Sequence, residues 1–319
     1  MTHAPPKVTV CVVTYNHARY IARCLGSVLA QLPQESLQIL VGDDGSNDST
    51  RGIIADFARL YPGVVIPHFN EKRLGPSGNY RSLITNATGK FIAHLDGDDY
   101  WMPGKLIRQI DILSGIENLS AVLANAYVVD ANDRPLGLFT SNRNDRIDLN
   151  YLLAKGNFLC HGTLLYKSEF KHDILSIPEE FIDYRILIRL AARGDLAYLS
   201  EPLMVYRWNS LTSMRATMTS LVGRNYWDAL IEGHRLGGSP TAFRTGASRF
   251  LEKTFALSLL RFQGKVARDW ADKVRAESPT PPIALLAIAV ARVPLALLRS
   301  AKRKVGTYLF RRISVLYPR

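Results

Sequence analysis

Cysteine is scarce, with Cys11, Cys24 and Cys160 the only three in 319 residues. An odd count at wide spacing excludes a disulfide framework, and no Cys/His group has zinc-ligand spacing. The thiols read as buried or incidental in a reducing compartment. Low-complexity tracts and internal repeats are missing. So is a P-loop: Gly75-Pro76-Ser77-Gly78 lacks the following Lys-Ser/Thr. There is no G-x-S-x-G nucleophile elbow. The stretch before Lys7 is short and contains Pro, and the apolar run after it ends at Thr14-Tyr15-Asn16, so no secretory leader is read and the active part is expected to face the cytoplasm. The apolar stretch Ile283–Leu298 is interrupted by Arg292 and Pro294 and falls short of the roughly 20 residues a membrane span needs.

What is present is ordinary globular material, 47% hydrophobic and 21% charged, enough for one large α/β domain or two smaller ones. The net charge of +12 is unevenly placed: from Arg261 onward there are 13 Lys/Arg against 3 Asp/Glu, so the body is nearly neutral and the tail basic. A basic tail points to an anionic partner, a membrane surface before nucleic acid.

Lys7–Val13 (KVTVCVV) fits a buried parallel strand. Tyr20–Leu32 has helical spacing, Leu37–Val41 is a second strand, and Asp48 or Ser49 is placed to cap a helix reaching about Leu60. Val64–His68 is a third strand, Asn79–Ala87 a helix, and Phe91–Leu95 a fourth strand. Alternating strands and helices predict an α/β fold, a mostly parallel sheet with helices on both faces, whose ligands bind beyond the carboxyl ends of the strands. The polar clusters Thr14–Asn16, Asp43-Asp44 and Asp96–Asp99 fall at those ends. Ala121–Val129, Gly162–Tyr166, Ala197–Leu199 and Met204–Tyr206 read as further strands, Phe181–Ala192 as a helix, and Ser220–Ala276 as helical with a break at Gly237–Pro240.

Asp96-Gly97-Asp98-Asp99 is the strongest feature. Three acids in four residues repel one another unless a cation binds, and hard oxygen ligands suit Mg²⁺ or Mn²⁺ bridging to phosphate. A solvated acidic turn fits the residues alone equally well. Asp43-Asp44-Gly45-Ser46 can accept from a base or ribose, or simply turn the chain. Tyr15 can stack on a base or fill core. Asp183, at the start of a helix, is placed as a general base or as a dipole-favoured first-turn acid, with Glu179 and Glu180 as competitors. His94 reads as a structural histidine; His17 and His161 have no pairing at metal or triad spacing.

In order and spacing, VVTYN (12–16), GDDGSNDST (42–50), GKFIAHLDGDDYWMPGKL (89–106), FIDYRILIRLAARG (181–194) and EPLMVYRWN (201–209) resemble the family 2 glycosyltransferases, over roughly residues 7–210. The resemblance implies a GT-A fold and an inverting transfer from a nucleotide-diphosphate sugar, by default a UDP-sugar. It assigns the nucleotide to Thr14 and Asp44 with Tyr15, Asn16 and Asp43 beside them. A divalent cation, Mn²⁺ or Mg²⁺, falls to Asp98 and Asp99. Asp96 orients that element or the ribose, and nucleotide contacts extend to Asp96 and Asp98. Asp183 matches the catalytic base. Where many members have Glu-Asp, this chain has Ile182-Asp183; where many have a His after Tyr-Arg, it has Trp208-Asn209, which predicts weaker metal dependence.

Three regions follow: 1–215 catalytic, 216–278 a helical extension, and 279–319 an apolar and basic tail expected on an anionic membrane surface. The expected place is the inner face of the cell membrane, peripherally held. The acceptor is then a saccharide or a lipid-linked saccharide, as in surface polysaccharide synthesis. Rival readings are a sugar nucleotidyltransferase, which would carry a Gly-rich basic first loop that Thr14–His17 lacks, and a binding protein that keeps the fold without the chemistry. A nucleic-acid binder would interleave aromatics with its basic residues, and none is read.

Overall fold

A computed structural model describes residues 6–178, 180–208, 221–310 and 315–317. These residues build one sheet of 11 strands. β1 (Val8–Thr14), β2 (Leu37–Asp43), β3 (Val65–Phe69) and β4 (Phe91–Asp96) lie in the order β3-β2-β1-β4, each neighbouring pair parallel. Parallel pairing requires crossovers, supplied by α1 (Ile21–Leu29), α2 (Thr50–Leu60) and α3 (Gly75–Thr85). All four strands therefore end along one edge. Beyond β4 come β5 (Tyr100–Trp101), α4 (Lys105–Gly115), β6 (Leu119–Val129), β7 (Pro135–Thr140), β8 (Arg146–Ile147), α5 (Leu149–Lys155), β9 (Leu165–Lys167), α6 (Lys171–Leu175), α7 (Asp183–Ala191) and β10 (Asp195–Arg207). Here the sheet is mixed: β9 runs antiparallel to β4 and β6, while β6 is parallel to β10 and antiparallel to β7.

Successive strand residues face opposite sides. Val8, Val10 and Val12 join a core with Ile21, Leu25 and Val28 of α1, Ile54 of α2 and Leu106 of α4. Cys11 and Val13 join another with Tyr80, Leu83 and Ile84 of α3 and with α5 and α7. Helices thus cover both faces, which is why β1 is buried along its whole length and mostly β-branched rather than alternating.

Several boundaries differ from the sequence expectation for identifiable reasons. α3 starts at Gly75 rather than Asn79, because Pro76 sits in its first turn, where a missing N–H costs nothing. Gly162 belongs to a short 3₁₀ turn at His161–Thr163, so β9 begins only at Leu165. The two short strands expected at 197–206 are one strand, β10, with register shifts on both sides of Pro202, which has no N–H to give the ladder. Asp48, not Ser49, meets the first N–H of α2: its carboxylate accepts from Thr50 N at 2.9 Å.

The region expected as one broken helix resolves into α8 (Leu221–Arg235), α9 (Pro240–Leu260) and α10 (Gly264–Glu277). Trp270 of α10 packs edge-on against Phe250 of α9, and Trp227 of α8 donates to Glu277 at 2.9 Å. α11 (Pro282–Phe310) follows, with Leu285, Ala289 and Val293 buried at helical spacing in the core that also holds α9, and Arg292 Nη1 donating to Ser248 Oγ at 3.2 Å. β11 (Val315–Tyr317) then pairs parallel with β7, where Thr140 Oγ1 donates to Tyr317 O. The C-terminal segment is therefore packed on the body at both ends rather than detached, although α11 still turns Ile288, Leu295 and Leu298 outward. No helix among the described residues is long and apolar enough to cross a membrane.

Close backbone contact makes one glycine testable. A Cβ on Gly89 would lie 2.4 Å from Thr9 N and 2.8 Å from Val8 C, while one on Gly26, within α1, meets nothing within 4 Å. Gly89→Ala is expected to cost roughly 1–3 kcal/mol by urea denaturation. Gly26→Ala should add about 0.5–1 kcal/mol in the same assay.

Candidate active site

The loops after β1 and β2 are sewn together. Asn16, at φ 54°, accepts from Asn47 N through Oδ1 at 2.9 Å, and its own N–H donates to Ser46 Oγ at 2.8 Å. His17 N donates to Thr50 Oγ1 and Ala18 N to Asp48. Asn16 thus acts on the loop before any ligand: it holds the two strand ends in one rim.

Asp43 and Asp44 differ in what they hold. Asp43 is fully buried and accepts from Ser46 N, Ser46 Oγ and Arg51 Nε, the last at 2.6 Å. Asp44 turns the other way and accepts from Leu74 N at 2.7 Å and Gly75 N at 3.0 Å, so it anchors the start of α3. Beside it Arg73 lies 3.8 Å over the Tyr15 ring and 3.9 Å from Asp44, an aromatic and cationic lip at the same rim. Thr14 is 3% exposed, and its Oγ1 has no partner within the described protein. Gly97 lies against it: a Cβ there would meet Thr14 Cβ at 2.7 Å.

The period of two along β4 points His94 and Asp96 to the same face. His94 Nε2 lies 3.2 Å from Asp96 Oδ1. The His94 ring packs 4.3 Å from His161 and edge-on to Tyr80 at 4.7 Å. Burial works against the charge on Asp96, but His94, with His161 and His17, outweighs it and draws the carboxyl below its ordinary range. Asp98 and Asp99 go the other way. Burial pushes Asp98 up, His17 resists, and Asp96 adds to the push. Asp99, 2% exposed, is driven well above the carboxylate range by burial and by Asp98 and Asp96. One Asp99 oxygen accepts from Arg207 N at 2.7 Å.

Arg207, at the end of β10, is 4% exposed, and its guanidinium donates to Asp98 O, Asp130 O and Asp133. It braces the acidic turn from behind. Sequence reading passed over this residue although it stands inside the YRW motif; an Arg at a strand end beside an acidic turn is the signal that was there to use. Asn209 and Glu179 lie outside the described residues. Glu180 lies beside Gly75 and lines a small cavity with Pro76, Ser77 and Asn225.

Asp183 opens α7. Its Oδ1 accepts from Asn157 Nδ2 and from Tyr184 N, both at 2.8 Å. Burial raises its pKa, and the field of Asp96 adds to the rise. His161 packs against the His94 ring beside Asp96; burial and His94 hold it well below the usual histidine range. The WMPGKL stretch is scaffolding for this corner. Trp101 Nε1 donates to Gly162 O at 2.9 Å, and buried Lys105 donates to Gln109, whose amide holds Thr163 O at 2.8 Å.

Among the described residues no three His, Cys, Asp or Glu side chains are arranged to cage a metal. A hard divalent cation does not need such a cage when one or two carboxylates and substrate phosphates complete its shell. Asp98 fits that role: it is 20% exposed, and its Oδ2 is 3.9 Å from His17 Nε2. Asp99, expected as a second ligand, is turned inward to Arg207. A separate cavity of about 330 Å³, walled by Asp173, Arg189, Arg193 and Glu232, has its charges paired across its own wall.

Residues 9–174 match the family model described as Glycosyl transferase family 2. The chain belongs to this family. An uncharacterised protein of Mycobacterium tuberculosis is 26% identical over 73% of this chain and 66% of its own length. An uncharacterised glycosyltransferase of Nostoc is 30% identical over 63% of this chain and 64% of its own. The matched stretch thus spans just under two thirds of these relatives. Among solved structures, Staphylococcus aureus TarS 1–349 in complex with UDP-GlcNAc superimposes with a TM-score of 0.67 at 17% identity, covering 93% of this chain and 92% of that one. The mannosyltransferase PcManGT of Pyrobaculum calidifontis, in complex with GDP-Man and Mn²⁺, superimposes with a TM-score of 0.57 at 20% identity, covering 97% and 88%. The family 2 transferase has the expected GT-A fold.

A raised carboxyl pKa has a testable sign. The folded state holds the Asp183 proton to higher pH than the unfolded chain does, so this group lowers stability as pH rises from the ordinary carboxylate range through its folded pKa. Asp183→Asn should therefore melt at or above the parent protein at neutral pH, and the gap should narrow toward pH 4 in thermal melts.

Proposed function

We propose that this family 2 protein transfers a glycosyl group from a nucleoside-diphosphate sugar, with a UDP-sugar first among donors, to a hydroxyl of a saccharide or lipid-linked saccharide, with inversion at the anomeric carbon. The observation that carries this reading is Asp183 itself: a carboxyl at the start of α7, held by Asn157 and raised in pKa by burial and by the field of Asp96. A base poised above its ordinary value takes a proton from an attacking hydroxyl more effectively near neutral pH. TarS with UDP-GlcNAc and PcManGT with GDP-Man and Mn²⁺ support a nucleotide-sugar donor and a divalent cation on the same fold.

In this reading the base lies at the rim of Thr14, Tyr15 and Asp44. Tyr15, already stacked under Arg73, offers its face to the ring. Asp44 reaches a base or ribose donor only by sharing oxygens with Leu74 and Gly75, so base recognition and the entry to α3 are linked. Asp43 and Asn16 act by shaping the rim. Asp98 would hold the divalent cation, on a turn that Asp99 and Arg207 brace. When bound, the cation neutralises charge developing on the leaving diphosphate. Asp96, 44% exposed and kept ionised by His94, accepts from ribose or sugar hydroxyls. Asp183 receives the proton of the acceptor hydroxyl as it attacks from the side opposite the diphosphate. The basic C-terminal region and the outward apolar face of α11 support work at the inner membrane surface on a lipid-linked acceptor.

Thermal melts with UDP, dTDP, GDP and CDP, each with and without Mn²⁺, test the donor site. One nucleotide should raise the melting temperature more with Mn²⁺ than without, and Asp98→Asn should remove the metal-dependent part. Asp183→Asn should keep that shift yet lose transfer by about 10²–10⁴-fold. No shift with any nucleotide sinks the donor site; full activity in Asp183→Asn sinks the base.

A further inference from the structure

α9 ends on an unusual residue. Gln263 N donates to Ser258 O at 2.8 Å and Phe262 N to Leu259 O at 3.1 Å, the bond pair that closes a helix around one left-handed position. Glycine is favoured there because a Cβ is strained. This chain places Phe262 in it, at φ 54°. Burial does not compensate: Phe262 is 97% exposed, Leu259 61% and Leu260 53%. Three large apolar side chains project from one turn, one of them at a backbone cost, and none contributes to the cores.

The charge around them has one sign. From Lys253 to Arg268 there is no Asp or Glu, and Arg261, Lys265 and Arg268 are exposed about the apolar apex. A protruding apolar tip in a basic collar matches the layering of a lipid surface, with hydrocarbon beneath a plane of phosphates. A protein partner of standard size would instead call for a broad face of about 800 Å² on this side. α11, the segment first expected on the membrane, commits its Leu285–Ala289–Val293 stripe to the protein interior, which leaves the α9–α10 turn as the more prominent apex.

We propose that the α9–α10 turn is a docking tip for an anionic bilayer, with Phe262, Leu259 and Leu260 entering the interfacial layer and Arg261 and Lys265 meeting lipid phosphates. This deepens the membrane part of the functional reading and does not depend on the transfer chemistry.

The test uses the full chain with vesicles of phosphatidylcholine alone or mixed with phosphatidylglycerol. Parent protein should float with the mixed vesicles and be released by high salt. Phe262→Gly should melt at or above the parent temperature, since glycine relieves the left-handed strain, yet bind about tenfold or more weakly. Phe262→Trp should show a blue shift in emission, relative to the parent, when mixed vesicles are added. Parent protein that stays unbound, Phe262→Gly that binds like the parent, or Phe262→Trp without a shift overturns the proposal. So does a solution dimer that Phe262→Gly dissociates while vesicle binding is absent, which assigns the tip to a second copy. Nucleotide-induced melting shifts on the same samples report separately on the donor site.

Discussion

Carboxylate crowding at the end of β4 governs the arrangement around it. Asp98 and Asp99 are both pushed toward their neutral forms, and Asp96 contributes to the push on each. The fold relieves this only in part. His94 serves Asp96, and a backbone N–H serves Asp99, while the Arg207 side chain goes to Asp133 and to main-chain carbonyls rather than to the acids themselves. A cluster left short of positive charge carries a repulsion that a cation would relieve, and in the proposed reading that cation brings its own phosphate ligands. Burial raises the Asp183 carboxyl too, and Asp96 adds to the rise, so Asp183 is electrostatically coupled to the end of β4.

That system needs rigid edges, and most of the conspicuous polar residues supply them. Asn16 and Asp48 join the first two strand ends, Asp43 holds Arg51, and Asp44 opens α3. Lys105 and Gln109, wholly buried, fasten the turn that carries His161. Polar groups at this depth are tolerated because each has a partner, and a partnered buried network fixes one geometry. The structural part of Asp43-Asp44 is plain: Asp44 is oriented by Leu74 N, Gly75 N and Asn70 Nδ2, and Asp43 by Ser46 and Arg51.

The first half of the fold was legible because parallel strands buried on both faces write long β-branched runs, and their carboxyl ends are marked by Thr14, Asp43 and Asp96. The second half was less so. β9 has three residues and β5 two, too few to show a period, and Pro202 hid the continuity of β10. At the site, the acids were visible as a cluster, but which carboxylate faces inward was not: the Asp99 carboxylate takes the Arg207 N–H, while that of Asp98 lies toward His17. His94 and His161 were missed as a pair since 67 positions separate them and contact across the sheet leaves no spacing to read.

The unpaired polar atoms make the case from another side. Thr14 Oγ1, His94 Nδ1, Asn157 Oδ1 and His161 Nδ1 are buried without a partner within the described protein. An unmet buried group costs on the order of 1–3 kcal/mol, so a fold selected for stability alone would place few of them together. These four lie at or near the strand ends, Thr14 under the acidic turn, His94 on Asp96, Asn157 on Asp183 and His161 against His94, whereas His68 Nε2 and Tyr198 OH are further unpartnered atoms outside this group. Asn157, donating to Asp183 through Nδ2, is left with its carbonyl as a free acceptor. Acceptors in that state are complementary to hydroxyl groups. A hydroxyl donor placed against such an acceptor would remove the cost it carries unmet.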